Sequence, residues 1–234
     1  MCLTDVQKKY ATLEQIIRKV TPMEALDQIS TTLALTMGLA WASGINLYAT
    51  LFTLGYLANT GNIDLPPDLQ IVANPMVMGA AGVMYFIEFF ADKMPGVDTG
   101  WDAMHTFIRI PAGAMLAAGA IGDLNPVVEL AAAIMGGGLA AGSHATKAGT
   151  RVLINTSPEP FSNWSASVAE DVAVIGGVWA CINHPVLFLI ALVFFILMMI
   201  WLLPKIWAGV KKVFSFIGNL FRNENSSKRL NPPQ

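Results

Sequence analysis

The first group of residues that could do chemistry is a run of ionisable side chains in the middle of the chain: Glu88, Asp92, Lys93, Asp98, Asp102, His105 and Arg109. The last four are separated by steps of four, three and four residues, which places them on one face of one helix. Carboxylates and an imidazole at that spacing can hold a divalent cation or relay a proton. Asp98, Asp102 and His105 are therefore candidate metal ligands. The alternative is an ion-pair lattice, in which Asp102, His105 and Arg109 satisfy one another.

A second group of ionisable residues begins 35 positions after Arg109: His144, Lys147, Arg151, Glu159, Glu170 and Asp171. The first three again follow helical spacing, and the proline-bounded segment 157–160 comes soon after them. Such a cationic face could bind an anion, for example a phosphate headgroup or a carboxylate. The alternative is that Lys147 and Arg151 only anchor a helix end at a membrane surface.

The elements that must position these groups are membrane helices. Residues 186–203 contain no charged and no polar side chain, and eighteen residues are about what a helix needs to cross a hydrocarbon core of roughly 30 Å. Of the whole chain, 54% of residues are hydrophobic and only 13% are charged, about half the charged fraction of a soluble domain. The net charge of −2 gives no reason to expect nucleic acid as a partner. We therefore expect an all-α integral membrane protein whose partner is the lipid bilayer.

We predict six spans, with a division of the chain into residues 1–30, 31–203 and 204–234. The spans are residues 31–58 with a soft break at Ser43-Gly44, 75–91, 104–122, 126–148, 165–183 and 185–203. Asn-Pro or His-Pro pairs mark the starts of the second, fourth and sixth. For the third and fifth spans, a re-entrant or half-buried helix would show the same sequence pattern.

The charge distribution predicts the orientation of these spans. With six spans, all fourteen Lys and Arg residues fall on one side, and the loops 59–74, 123–125 and 183–184 contain none. Basic residues favour the cytoplasmic side, so we expect an inner-membrane protein with both termini in the cytoplasm. Both ionisable groups would then lie at cytoplasmic helix ends. We expect them to face each other, with Asp92, Asp98 and Asp102 paired with Lys147 and Arg151.

The two ends of the chain have a different character from the spans. Apolar residues at helical spacing with interspersed Lys and Arg predict an amphipathic surface helix within residues 1–30 and a basic one from residue 204 onward. Residues 223–234 are polar and end in proline, so we expect them to be disordered.

The chain contains a weak internal repeat. Gly38-Leu39-Ala40, Ser43 and Thr50 recur one hundred residues later, and the predicted topology makes the two copies antiparallel. A three-plus-three inverted repeat with interrupted helices is typical of transporters. The alternative is that these small residues only allow close helix packing. Asn46 lies near the centre of the first span, where we expect it to form a hydrogen bond to another helix.

Three stretches carry a resemblance to a known family: Ser43-Gly44-x-Asn46-x-Tyr48, the run EFFADKMPGVDTGWDAMHTFIRIPAGA, and the run HATKAGTR with NTSPEPFSN. Over most of residues 38–203 the chain resembles an uncharacterised bacterial inner-membrane family, domain of unknown function 4126. The resemblance implies an integral membrane protein and no established reaction or substrate.

These features favour a small transporter- or channel-like protein for an ion or small polar solute, with the ionisable groups as binding or coupling residues. A non-transport role in envelope maintenance, binding lipid headgroups or protein partners, is the alternative. An intramembrane hydrolase using Ser157, His144 and Glu159 is less favoured because no nucleophile-elbow or zinc-protease motif is present. We therefore expect no enzyme activity and no cofactor, while the small-residue faces would permit a homodimer.

Overall fold

The computed structural model describes residues 22–122, 125–156 and 160–230, and these contain helices and turns without any strand. Glu159 and most of the predicted amphipathic amino end lie outside the described residues. The elements, in order, are α1 (Pro22–Asn59), a 3-10 helix (Pro67–Ala73), α2 (Pro75–Ala91), α3 (Val97–Ile121), α4 (Pro126–Ile154), α5 (Pro160–Asn183) and α6 (Pro185–Leu230).

Helix starts follow the local signals in the sequence. The Asn74 side chain accepts a hydrogen bond from the backbone N–H of Met76, and Asn125 accepts one from Val127. Each cap is followed by a proline in the first turn, where the missing N–H costs no hydrogen bond. The predicted starts at residues 75, 126 and 185 are confirmed.

Helix α1 is broken at Asn46, three residues after the start of the predicted break at Ser43. Asn46 has φ −146° and ψ 98°, outside the helical region. Its side-chain oxygen accepts a hydrogen bond from the backbone N–H of Ala49 at 2.9 Å, as in the cap of a new helix. Helix α1 thus consists of two arms, residues 22–45 and 47–59, that meet at Asn46.

The first arm of α1 runs toward the end of the bundle where α2 finishes and α5 begins. These two helix ends meet, because Lys93 Nζ lies 3.3 Å from Ser167 Oγ. The carboxyl-terminal part of α5 therefore lies toward the opposite end. Gly38 packs there against Cys181, whereas the break at Asn46 lies much nearer the start of α5.

The second arm runs back in the opposite direction. Gly55 packs against Met78 in the first turn of α2, and the Asn59 side chain donates to the backbone carbonyl of Ala73 at 2.7 Å. Since the start of α2 lies opposite its end, the second arm ends at the same end of the bundle at which the first arm begins. Helix α1 is a re-entrant hairpin with its tip at Asn46, so the prediction of a single crossing over residues 31–58 is wrong.

The re-entrant hairpin changes the count of spans. Helices α3 to α6 are long and apolar enough to cross a membrane, and a fifth crossing results if the 3-10 helix and α2, bent by 64°, count as one. Six spans are therefore not confirmed. The third and fifth predicted spans had a sequence pattern that a re-entrant helix could share. They lie in α3 and α5, which are continuous helices of 25 and 24 residues.

Helix α6 runs parallel to α4 toward the end where α4 finishes. Met199 contacts the position of Gly142, and Ile206 contacts that of Gly149. The start of α1 and the far part of α6 consequently lie at opposite ends of the bundle. The described residues therefore do not support termini on one shared side. Helix α6 itself continues to Leu230, into the polar segment that we expected to be disordered.

Helix α1 forms the centre of the bundle, which explains its polar composition. Most of its residues from Ala34 to Leu57 are buried or half-buried against the other helices. Gly44 allows the closest approach, since a Cβ there would meet Ser143 Oγ and the Ala140 carbonyl. The structure does not confirm the inverted repeat, because α1 breaks at Asn46 whereas α4 is unbroken through Thr146. Close packing accounts for Gly38, Ala40, Ser43 and Ala140 among the shared residues, whereas Gly138 has open space beside it.

Candidate functional site: a buried charge network

Charged side chains from four helices meet at the end of the bundle where α2 and α4 finish and α3 and α5 begin. We call the following set the buried charge network: Glu88 and Asp92 of α2, Asp102 and Arg109 of α3, Lys147 and Arg151 of α4, and Glu170 of α5. Every member except Glu170 has a side chain that is at most 3% exposed. The prediction that the two ionisable groups face each other is confirmed.

The Lys147 ammonium lies at the centre of this network. Its Nζ is 2.8 Å from Asp92 Oδ2, 3.2 Å from Glu88 Oε1, 3.5 Å from Glu170 Oε2 and 3.8 Å from Asp102 Oδ1. Four carboxylates therefore surround one cation that has almost no contact with solvent. Attraction between such groups is much stronger here than at a protein surface, and it must offset the cost of removing each ion from water.

Arg109 joins α3 to both neighbouring helices. Its guanidinium donates to Asp102 Oδ1 at 3.0 Å and to Glu88 Oε1. It also lies 3.2 Å from His144 Nδ1, while His144 Nε2 lies 2.7 Å from the hydroxyl of Thr106. Because a guanidinium can only donate, we assign His144 as the neutral tautomer that accepts at Nδ1 and carries its proton on Nε2.

Arg151 closes the network on the side of α5. It donates to the backbone carbonyls of Asp92 at 3.1 Å and Asn163 at 3.0 Å, to Asn163 Oδ1, and to Glu170 Oε2 at 2.7 Å. Asn163, which is 1% exposed, was not among the predicted site residues. Its place in the run NTSPEPFSN is the signal that could have indicated it.

Two of the predicted residues lie apart from the network. Asp98 Oδ1 accepts from the backbone N–H of Thr99 at 2.6 Å and from the Asn155 side chain at 2.8 Å, in the first turn of α3. The partial positive charge of the helix start favours a carboxylate in that position. The predicted pairing of Asp98 with Lys147 or Arg151 is therefore wrong.

His105 has other partners as well. Its ring stacks on Trp101 with 4.3 Å between centroids, Nδ1 lies 2.8 Å from the Trp101 carbonyl, and Nε2 lies 3.0 Å from the Tyr48 hydroxyl. Among the described residues there is no group of three side chains that could hold a metal ion. The proposed metal ligands Asp98, Asp102 and His105 do not converge, because each is already engaged by a different neighbour.

The tip of the re-entrant hairpin touches the edge of the network. Asn46 Nδ2 donates to Asp171 Oδ1 at 3.1 Å, which confirms the predicted hydrogen bond to another helix, and Asp171 follows Glu170 directly in α5. Lys93 lies nearby, with its Nζ 3.0 Å above the Phe89 ring. Partial burial lowers the pKa of the Lys93 ammonium, and the charges of Asp171 and Asp92 counteract that effect.

The network ties four helices together at one end of the bundle, beside a break in a fifth. One comparison with known proteins, that with protein-family models, covers this whole unit. The model of a family described as a domain of unknown function, DUF4126, matches residues 33–205, which include the hairpin tip and all seven network residues. No curated protein matches the chain, and no solved structure does. The chain belongs to the DUF4126 family.

Proposed function

We propose that this membrane-embedded protein moves an ion or a small polar solute across the membrane, using the buried charge network as its coupling site. The proposal rests on the re-entrant hairpin. Its tip residue, Asn46, is hydrogen-bonded to Asp171 at the edge of that network. Interrupted helices inside a membrane are tolerated only where protein or a water-filled path surrounds them, and transporters place their binding sites at such breaks.

The break brings helix ends to the network. The first arm of α1 ends there with backbone carbonyls, and the second arm begins there with backbone N–H groups. Helix ends have partial charges of opposite sign, so the tip can interact with either sign of charge on a passing solute. The bond from Asn46 to Asp171 links any movement of the hairpin to α5.

The network can serve as a gate because its contacts join different helices. Among the described residues, Lys147 and Arg151 of α4 pair with α2 and α5, whereas Arg109 of α3 pairs with α2. If these helices move apart, their charged side chains must exchange their present partners for others. A change between two such arrangements is a common basis for alternating access.

The orientation that we propose follows from the basic residues. Lys93 and the network cations lie toward one end of the bundle, and the later part of α6, with Lys205, Lys211 and Lys212, runs toward the same end. By the tendency of basic residues to stay inside, this end would face the cytoplasm of a bacterial inner membrane.

The burial of the cations argues against the envelope-maintenance alternative at this site. Lys147 is 4% exposed and Arg151 is 0% exposed, and carboxylates within the bundle already satisfy both. A lipid headgroup would have to displace these carboxylates to reach either cation. Transport, rather than headgroup binding or an enzyme reaction, is therefore the function that we propose.

The test is a flux measurement on full-length protein in proteoliposomes, with protons, monovalent cations and small anions offered in turn. We expect flux of at least one of them and its loss in Asn46→Ala, which removes the bond to Asp171. Asn62→Ala in the exposed turn after α1 is the matched control and should transport normally. Absence of all flux from folded wild-type protein, or full flux through Asn46→Ala, would contradict the proposal.

A further inference from the structure

The buried charge network contains one more carboxylate than it has cations. Its acids are Glu88, Asp92, Asp102 and Glu170, and its cations are Arg109, Lys147 and Arg151, which leaves a formal charge of −1. An uncompensated charge in a dry interior is costly, and such groups usually become neutral or acquire a partner.

Neighbouring charged and titratable groups do not remove this excess. His144 is neutral in the tautomer assigned above, and His105 is engaged by the Tyr48 hydroxyl. Asp171 lies in the field of Lys93, so these two opposite charges offset each other. Asp98 is held by backbone N–H groups and an asparagine at the start of α3.

Three carboxylates of the network each have one oxygen to spare. Glu88 Oε2, Asp92 Oδ1 and Asp102 Oδ2 are buried and have no hydrogen-bond partner among the described residues. In each case the cations contact only the other oxygen of the same carboxylate. Two donors of the network, Arg109 Nε and Arg151 Nε, are likewise buried without a hydrogen-bond partner among the described residues. Buried polar atoms in proteins are nearly always paired, so three unpaired acceptors against two unpaired donors, around an excess negative charge, indicate that one positive charge is lacking.

A metal ion does not fit this position. The Lys147 ammonium already occupies the space between the three carboxylates, and no group of three potential ligands converges among the described residues. A proton needs only one oxygen and no coordination shell. The distance from each carboxylate to its nearest cation is longest for Asp102, at 3.0 Å; it is 2.8 Å for Asp92 and shorter for Glu88.

We propose that the network binds one proton on the spare oxygen of Asp102 and that this proton is the coupling ion of the transport proposed above. The proton comes from solution and forms an O–H bond that converts the carboxylate into a neutral carboxylic acid, without displacing another group. The network is then neutral. Binding of the proton stands on the charges and geometry alone, and only its coupling role rests on the proposed function.

The experiment is infrared spectroscopy of the full-length protein in lipid nanodiscs over a range of pH. We expect the C=O stretch of a protonated carboxylic acid, its disappearance at high pH, and its loss in Asp102→Asn. Asp98→Asn, one turn earlier in α3, is the matched control and should keep the band. No such band in folded wild-type protein, or a band that persists in Asp102→Asn, overturns the proposal.

Two further measurements keep the proposal testable. If Asp102→Asn does not fold, wild-type protein with isotopically labelled aspartate carboxyls must show a shifted band, and an unshifted band excludes Asp102. The folded state holds a proton that the unfolded chain releases, so wild-type thermal stability should fall as pH rises, while that of Asp102→Asn should change little. If the protein shows flux but no infrared band, the proton site is refuted and the transport proposal is retained. If it shows the band but no flux, the transport proposal is refuted and the proton site is retained.

Discussion

Replacement of Lys147 by methionine tests how much the fold depends on the centre of the network. Methionine preserves most of the side-chain volume and removes the ammonium. Four carboxylates, from Glu88, Asp92, Asp102 and Glu170, then lose a cation that lies 2.8 to 3.8 Å away. Arg109 and Arg151 remain, so the formal charge of the network side chains, counted without the proposed proton, changes from −1 to −2.

The expected loss of stability is large because the carboxylates cannot reach solvent. Removing one partner of a buried ion pair costs about 3–5 kcal/mol, and four affected carboxylates place Lys147→Met toward the upper value. That loss lowers the ratio of folded to unfolded protein by roughly three orders of magnitude or more. It is also a substantial part of the roughly 5–15 kcal/mol by which folded proteins are stable.

The assay is unfolding of purified protein in mixed micelles with increasing denaturing detergent. Lys212→Met, at an exposed position of α6, is the matched control and should change stability by no more than about 0.5 kcal/mol. The double variant Lys147→Met with Asp92→Asn should recover part of the loss, because it removes one of the stranded carboxylates. A loss below about 1 kcal/mol in Lys147→Met, or strict additivity in the double variant, would refute the reasoning.

Two further predictions concern packing and topology. Gly44→Ala should unfold or strongly destabilise the protein, since its Cβ would meet the Ala140 carbonyl, whereas Gly138→Ala has open space and should be neutral or stabilising by up to about 1 kcal/mol when unfolding is compared. The topology can be tested with single cysteines in a cysteine-free background, labelled by a membrane-impermeant thiol reagent. Cysteines at positions 23 and 62 should react from one side of the membrane, and a cysteine at position 156 from the other side. Reaction of the cysteines at positions 23 and 156 from the same side would exclude the re-entrant hairpin.

Helical spacing was sufficient to predict most of the network. Arg109 lies two turns after Asp102, and Arg151 lies one turn after Lys147, so each pair shares a helix face regardless of the rest of the fold. The structure confirms that these two faces meet. Asn163 was missed because its role, two hydrogen bonds from Arg151, depends on where α5 packs against α4.

The same spacing was misleading for Asp98 and His105. Both are buried on the predicted face of α3, but neighbours that the spacing does not reveal engage them first. Asp98 is bound by the start of its own helix, and His105 by Trp101 and by Tyr48 of α1. A shared face allows contact between side chains, but competing partners from other elements decide which contacts form.

Membrane embedding, the starts of several helices and the sharing of a helix face by ionisable residues could all be predicted from the sequence, because these properties depend on composition and on contacts within a turn or two. That α1 enters and leaves at the same end of the bundle could be learned only from the packing of the helices. The apolar side chains of a re-entrant arm and of a spanning helix look alike in sequence. The direction of the arm before Asn46 is set by the packing of Gly38 against α5, and that of the arm after Asn46 by the packing of Gly55 against α2; both contacts join residues far apart in the chain.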